Sequence, residues 1–227
     1  MLNYVVDPAI LKPYMPPGTV PDLWKGEAMI SLVGFMFNET RVLGIKWPFH
    51  THFEEVNLRF YIKQEKGTEV KRGVGFVSEI VPRPLIATIA NKLYNERYRA
   101  LPMKHTLHVG ADEIAVSYEW RHNKKWHSLS VKATNELQDI AQGSDEEFIL
   151  EHYHGYNMLD ASTSVAYEIA HPRWQVFPVT SWHLDADIEG LYGKEFAAYI
   201  DGATPRSVML AKGSEVIIAK PKKLIVP

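Results

Sequence analysis

The stretch "EEVNLRFYIK", Glu54 to Lys63, decides how this chain is read. Side chains on a strand alternate between faces, and the alternation here is sharp. Val56, Leu58, Phe60 and Ile62 fall on one side, and Glu55, Asn57, Arg59 and Tyr61 on the other. An antiparallel sheet with one solvated face produces this pattern. So does the wall of a pocket, because a carboxylate, an amide, a guanidinium and a phenol in one row can hold a polar ligand. In such a pocket Arg59 would grip a carboxylate through two parallel hydrogen bonds. If the row is enclosed and empty, Glu55 is the expected partner of Arg59.

Working outward, turn signals recur at Pro16 to Gly18, Lys66 and Gly67, His122 to Lys125, and Asp201 and Gly202. Stretches rich in β-branched and aromatic residues lie between them. Strands are expected at 28–37, 55–64, 73–80, 103–109, 114–120, 127–134, 165–171, 181–187 and 216–220. Pro84 to Asn95 carries Ile86, Ile89, Ala90 and Leu93 at helical spacing. A second helix is expected after "SDEE", where Ser144 and Glu147 form a capping box, and a short third one at 8–14. The even spacing, without linker or low-complexity break, predicts one mainly β (α+β) domain over 1–227.

Composition narrows the function. The chain has 227 residues, 46% of them apolar and 23% charged, enough to bury a sizeable core. Its longest apolar run, "AMISLVGFMF" from Ala28 to Phe37, has strand length and falls short of a membrane span. A formal charge of -2 gives no footprint for nucleic acid or anionic lipid, and the basic "KPKK" at Lys220 to Lys223 reads as solvated. Neither partner is expected. The absence of cysteine excludes disulfides, thiolate metal sites and cysteine nucleophiles. The start "MLNYVVDP" lacks the pattern of a secretion signal, so the expected compartment is the cytoplasm and the sequon Asn38 to Thr40 is idle.

Familiar catalytic templates are missing: there is no GxSxG elbow, GxGxxG fingerprint, phosphate-binding loop or HExxH helix. His50, His52 and Glu54 share a parity, but "WPFHTHF" reads as a loop and does not make a metal site. In "EHYHGY", Glu151 to Tyr156, the histidines sit two apart on an expected helix and diverge. No metal and no cofactor are expected.

One lysine needs a decision. In "RALPMKH", Arg99 to His105, Lys104 follows Pro102 and Met103, and reads either as a catalytic amine or as a solvated or ion-paired strand residue. The ordered segments "EVNLRFYI", "GVGFVSEI", "LIATIANKLYNERYRALPM", "FILEHYHGY" and "HPRW" together resemble the YqjF-like family of uncharacterised proteins, which is related to acetoacetate decarboxylase. The resemblance spans nearly the whole chain. It implies antiparallel strands wrapped into a β-cone or barrel around a deep pocket, and a strand-forming segment ahead of the position of Met1. The decarboxylase carries its imine-forming lysine directly after a proline, followed by a helper lysine that lowers the first one's pKa. Here Met103 stands at the nucleophile position and Lys104 at the helper's. Neighbours on a strand face opposite ways, so Lys104 substitutes only through a bulge or a shifted register.

The resemblance also sets Glu55 on the strand crossing the pocket and Tyr94, Tyr98 and Arg99 near its mouth. His105, on the parity of Met103, would enter the same cavity as an acid or base. The expected pocket therefore comprises Glu55, Asn57, Arg59, Tyr61, Tyr98, Met103 and His105. It would bind a small organic carboxylate or carbonyl compound without imine chemistry. The alternative is a lyase acting on a small keto acid, through Lys104 or through Glu55 and His105. A structural homo-oligomer with a vestigial pocket is the third reading.

Overall fold

In the computed structural model, which describes residues 1–39 and 51–225, the decisive stretch lies within a strand running Phe53–Lys66. His50 and Thr40 lie outside the described residues, as do the side chains of Leu93 and Tyr94. The strand is central. It pairs antiparallel with Ala28–Phe37 on one side and Glu69–Val81 on the other, with a bulge between Leu58 and Arg59. The bulge places Phe76 opposite Arg59, with Val77 as the extra residue.

Outward from this centre the main sheet has eleven strands. Leu2–Val6 follows Ala28–Phe37 on one flank, and His154–Met158 and Thr163–Ala170 follow Glu69–Val81 on the other. The path ends in the two-residue strands Ser207–Val208 and Ile217–Ile218, which do not pair with each other. The expected mainly β class is present, but among the described residues the sheets do not close into a barrel. A second sheet of four antiparallel strands runs in the order Val179–Asp185, Lys125–Thr134, Glu113–His122, Met103–Val109.

The second sheet explains the apolar face of the central strand. Val56, Leu58, Phe60 and Ile62 are wholly buried in one cluster with Trp120 and Leu129 of the four-stranded sheet and with Leu191, Phe196 and Ile200. Each such side chain contributes about 1.5–3 kcal/mol of apolar burial. The polar face is covered too, since Tyr61 packs with Val74, Phe148, Ile149 and Leu150. A solvated face, one of the two sequence readings, is therefore not what forms: Glu55 and Asn57 are each only 2% exposed.

Helix boundaries follow local chemistry. Pro84–Tyr94 opens on proline, which has no N–H to leave unpaired. Asp145–Leu150 is capped by Ser144, whose Oγ accepts from Glu147 N at 3.1 Å, while Glu147 Oε2 takes Gly143 N at 2.7 Å. That helix stops at Leu150, so "EHYHGY" is not helical as expected. His152 lies in the turn and His154 begins a strand, held by pairing with Thr163–Ala170. Two short helices that the sequence pattern did not announce, Ile188–Tyr192 and Lys194–Ile200, close the large core. Among the described residues, no helix is long and apolar enough to cross a membrane.

Candidate functional site

Sheet register assembles a polar row beyond the four residues of the central strand. Asn57 lies opposite Glu79 on Glu69–Val81, and Glu79 lies beside Tyr98 on the short parallel strand Tyr98–Ala100. Tyr98 is brought there by a local device. The helix before it ends at Asn95 in the left-handed conformation, φ 51°, which asparagine tolerates better than most residues. Asn91 then clasps Tyr98 on both sides, accepting from its N–H at 2.8 Å and donating to its carbonyl at 3.0 Å.

Glu55 is the best-served group of the row. Asn57 Nδ2 donates to its Oε1 and the Tyr98 hydroxyl to its Oε2, each at 2.7 Å. Glu96, in the turn between helix and strand, accepts from Asn157 Nδ2 at 3.2 Å and the Tyr167 hydroxyl at 3.0 Å. A Cβ on Gly155 would sit within the Tyr167 ring, so the glycine is what lets this tyrosine reach Glu96. Glu79, 1% exposed, has no hydrogen-bond partner for Oε2, and Asn57 has none for Oδ1.

Three carboxyls thus share one buried region. Burial pushes the Glu55 carboxyl up to about 7, against the pull of the Asn57 and Tyr98 donors, with the charge of Glu96 adding to the rise. Burial raises Glu96 to about 7 as well, opposed by Tyr167 and Asn157. Glu79 is raised well above the usual carboxylate range by burial and then by the charges of Glu96 and Glu55. Of the three, Glu96 lines a cavity of about 230 Å³, together with Tyr14, Phe76, Arg97 and Asn157.

Arg59 and Tyr61 continue the row as a polarised chain. Arg59 Nε donates to the Tyr61 hydroxyl at 3.4 Å, that hydroxyl meets Ser31 Oγ at 2.5 Å, and Ser31 Oγ donates to Asn3 Oδ1 at 2.6 Å. Among the described residues Arg59 forms no ion pair, and the expected pairing with Glu55 is absent. Strand geometry is the reason: the two residues are four positions apart, about 13 Å along the backbone, and nearer donors occupy both oxygens of Glu55.

The remaining expected residues stand elsewhere. Met103 is half-buried against the large core, opposite Trp120 in register. Lys104 is exposed, with Nζ 3.1 Å from Glu119 Oε2 and 4.9 Å from the Trp126 ring centre. His105 Nδ1 lies 2.7 Å from Glu54 Oε1. Glu54 and Glu55 are consecutive on an extended strand and point to opposite faces, so Met103 and His105 do not share a cavity with Glu55, Asn57 and Arg59. The central strand itself divides the expected pocket in two.

The histidine pairs also separate. His52 Nε2 meets Glu39 Oε1 at 3.0 Å on the surface. His152 Nε2 lies 3.1 Å from Asp22 Oδ2, which also takes Arg72 Nε at 2.6 Å, whereas His154 Nδ1 faces the Arg72 carbonyl at 3.2 Å. Among the described residues no three His, Asp or Glu side chains gather as a metal would need.

Sequence reasoning passed over Glu79, Glu96, Asn157 and Tyr167. Glu79 had a signal: it is the single charge in "GVGFVSEIV", Gly73 to Val81, a run otherwise fit for burial on both faces. Glu96, within "NER", had none.

The fold has known counterparts. An acetoacetate decarboxylase-like enzyme from Sphingomonas wittichii RW1 superposes with a TM-score of 0.58 at 13% identity, covering 100% of this chain and 90% of that one. Acetoacetate decarboxylase from Legionella pneumophila subsp. pneumophila str. Philadelphia 1 gives 0.57 at 12%, covering 100% and 83%. The enduracididine biosynthesis enzyme MppR complexed with pyruvate gives 0.56 at 12%, covering 98% and 82%. At such identities the likeness is one of fold. No curated protein matches the chain. The model of DUF2071, a family of uncharacterised conserved proteins, matches residues 1–215, and the chain belongs to that family.

Proposed function

We propose that the chain binds a small organic carboxylate or carbonyl compound on the Glu55–Arg59 face, without forming an imine. The observation that carries this reading is the half-buried Arg59, a cation without a carboxylate partner among the described residues, in the same row as Glu55. A guanidinium so placed is suited to a planar anion. The nearby carboxyls do not forbid one. Burial holds Glu55 and Glu96 near neutrality, so a bound anion would be met by protonated neighbours, and binding would take up protons. That a protein of similar fold is described in complex with pyruvate supports this ligand class.

Replacing Arg59 with methionine keeps bulk and removes the donors. A bound carboxylate should then lose about 1.5–3 kcal/mol, the worth of hydrogen bonds to a charged group, while neutral amides lose much less. Calorimetric titration of both proteins with short carboxylic acids and their amides tests this. Equal weakening of the two classes would remove Arg59 from the site.

The competing reading, a keto-acid lyase working through Lys104, needs an enclosed amine. Lys104 is exposed and ion-paired with Glu119. Incubation with acetoacetate and borohydride should leave the chain without an adduct by mass spectrometry. A reduced adduct on Lys104 would restore the lyase.

A further inference from the structure

The Asn57–Glu79 pair presents a problem of hydrogen-bond bookkeeping. Asn57 Nδ2 is committed to Glu55, which leaves Oδ1 of the same amide facing away from Glu55 with no donor. Its cross-strand partner, Glu79, is left with Oε2 equally without one. Both side chains are almost wholly enclosed, and a buried acceptor without a donor has given up its hydration with nothing in exchange. Two such acceptors on partnered residues are both satisfied by one hydrogen placed on the group that can carry it.

We propose that Glu79 is held as the neutral carboxylic acid, that its proton is the missing donor to Asn57 Oδ1, and that Glu79 thereby positions the Asn57 amide to serve Glu55. The direction then runs consistently from Glu79 O–H to Asn57 Oδ1 and from Asn57 Nδ2 to Glu55 Oε1. With the Tyr98 hydroxyl on Oε2, Glu55 is left as the acceptor of two donors and so as the carboxyl of the row that ionises. Glu79 is a positioning residue and a reserve of one proton, and this holds whatever ligand Arg59 takes.

The charged and titratable surroundings agree. Those bearing on Glu79 are Glu55 on the central strand, Glu96 in the turn after the helix and Tyr98 on the parallel strand. Tyr167 bears on the same cluster from Thr163–Ala170, Arg59 bears on Glu55, and Arg97 stands in the cavity wall. Glu79 itself forms no ion pair among the described residues, so no fixed cation stabilises its anion.

Infrared spectroscopy of the full chain reads the proton directly. Well above neutrality, where Glu55 and Glu96 have ionised, the wild type should keep one carbonyl-stretch band of a protonated carboxylic acid. Glu79→Gln should abolish that band, and Glu55→Gln and Glu96→Gln should retain it. Glutamine is a neutral isostere whose Nε2 can donate to Asn57, so Glu79→Gln should stay folded, whereas Glu79→Ala should not match its stability. The pH dependence gives a second readout. Glu79→Gln should remove about one proton from the slope, a tenfold change in the folding constant per pH unit. The absence of any protonated-acid band in the wild type, as expected for a bridging water, would overturn the proposal. So would a band lost in Glu55→Gln and kept in Glu79→Gln.

Discussion

Lowering the pH from about 8 to about 6.5 should stabilise the wild type relative to Glu55→Gln by about 1 kcal/mol. The sign follows from linkage. Burial raises the folded-state pKa of Glu55 from the ordinary 4.5 to about 7, and Glu79 is raised well above the ordinary range in both proteins. In this window folded Glu55 takes up a proton that the unfolded residue does not, so acidification favours the wild type until the unfolded glutamate protonates near 4.5. Glu55 contributes a growing share as its pKa is approached, while the buried Met1 ammonium, held down at about 5 from an ordinary 8.0, opposes the rise equally in both proteins and drops out of the difference. Glu96, raised by burial to about 7, is likewise common to both proteins.

The lower limit is chosen because His152 acts oppositely. Burial holds its imidazole down at about 4, against an ordinary 6.5, with Asp22 resisting and the charge of Arg72 assisting. Stability from this group is present above 6.5 and is lost as the pH falls towards 4. Denaturant unfolding across a pH series checks the prediction. A difference between the wild type and Glu55→Gln that stays constant from pH 8 to 6.5 would refute the raised Glu55 carboxyl.

Trp120→Ala should cost about 3–5 kcal/mol, the range for removing a buried large aromatic side chain. Trp120 is 0% exposed in the cluster that joins the four-stranded sheet to Val56, Leu58 and Phe60, so its loss opens a void behind the strand that carries the polar row. Leu107→Ala is the matched control. Leu107 is 62% exposed on the edge strand Met103–Val109 of the same sheet and should cost within about 0.5 kcal/mol. Chemical denaturation of both variants, with unchanged m-values, would confirm that the two sheets share one core. Comparable losses at the two positions would refute the shared core.

Both predictions rest on the central strand, whose reading from sequence succeeded halfway. Its alternation identified which residues share a face, and those sets are the ones the fold separates. What the alternation could not state was whether the polar set faces water. That depends on Phe148 and its neighbours, about 90 residues away, packing over Tyr61. The same limit explains the misplaced half of the pocket. Met103 and His105 have the parity expected of them, but parity is defined within a strand, and which face of the partner sheet a strand meets is set by chain paths between them. The expectation of a helix over Glu151 to Tyr156 failed for a related reason. A strand there is selected by pairing with Thr163–Ala170, and six residues hold too little periodicity to outweigh that pairing.

By itself, then, the sequence determined what short-range physics controls. This includes the strands set by period-two alternation between turn residues, the helix opened by Pro84, the cap at Ser144 and the exclusion of cysteine chemistry. Only the tertiary structure decided that Glu79 and Glu96 stand with Glu55, that Arg59 lacks a carboxylate partner among the described residues and that Lys104 lies in the open. Burial and ionisation depend on every element that removes water from a group, and those elements are brought together by pairings spanning tens of residues, which no local pattern records.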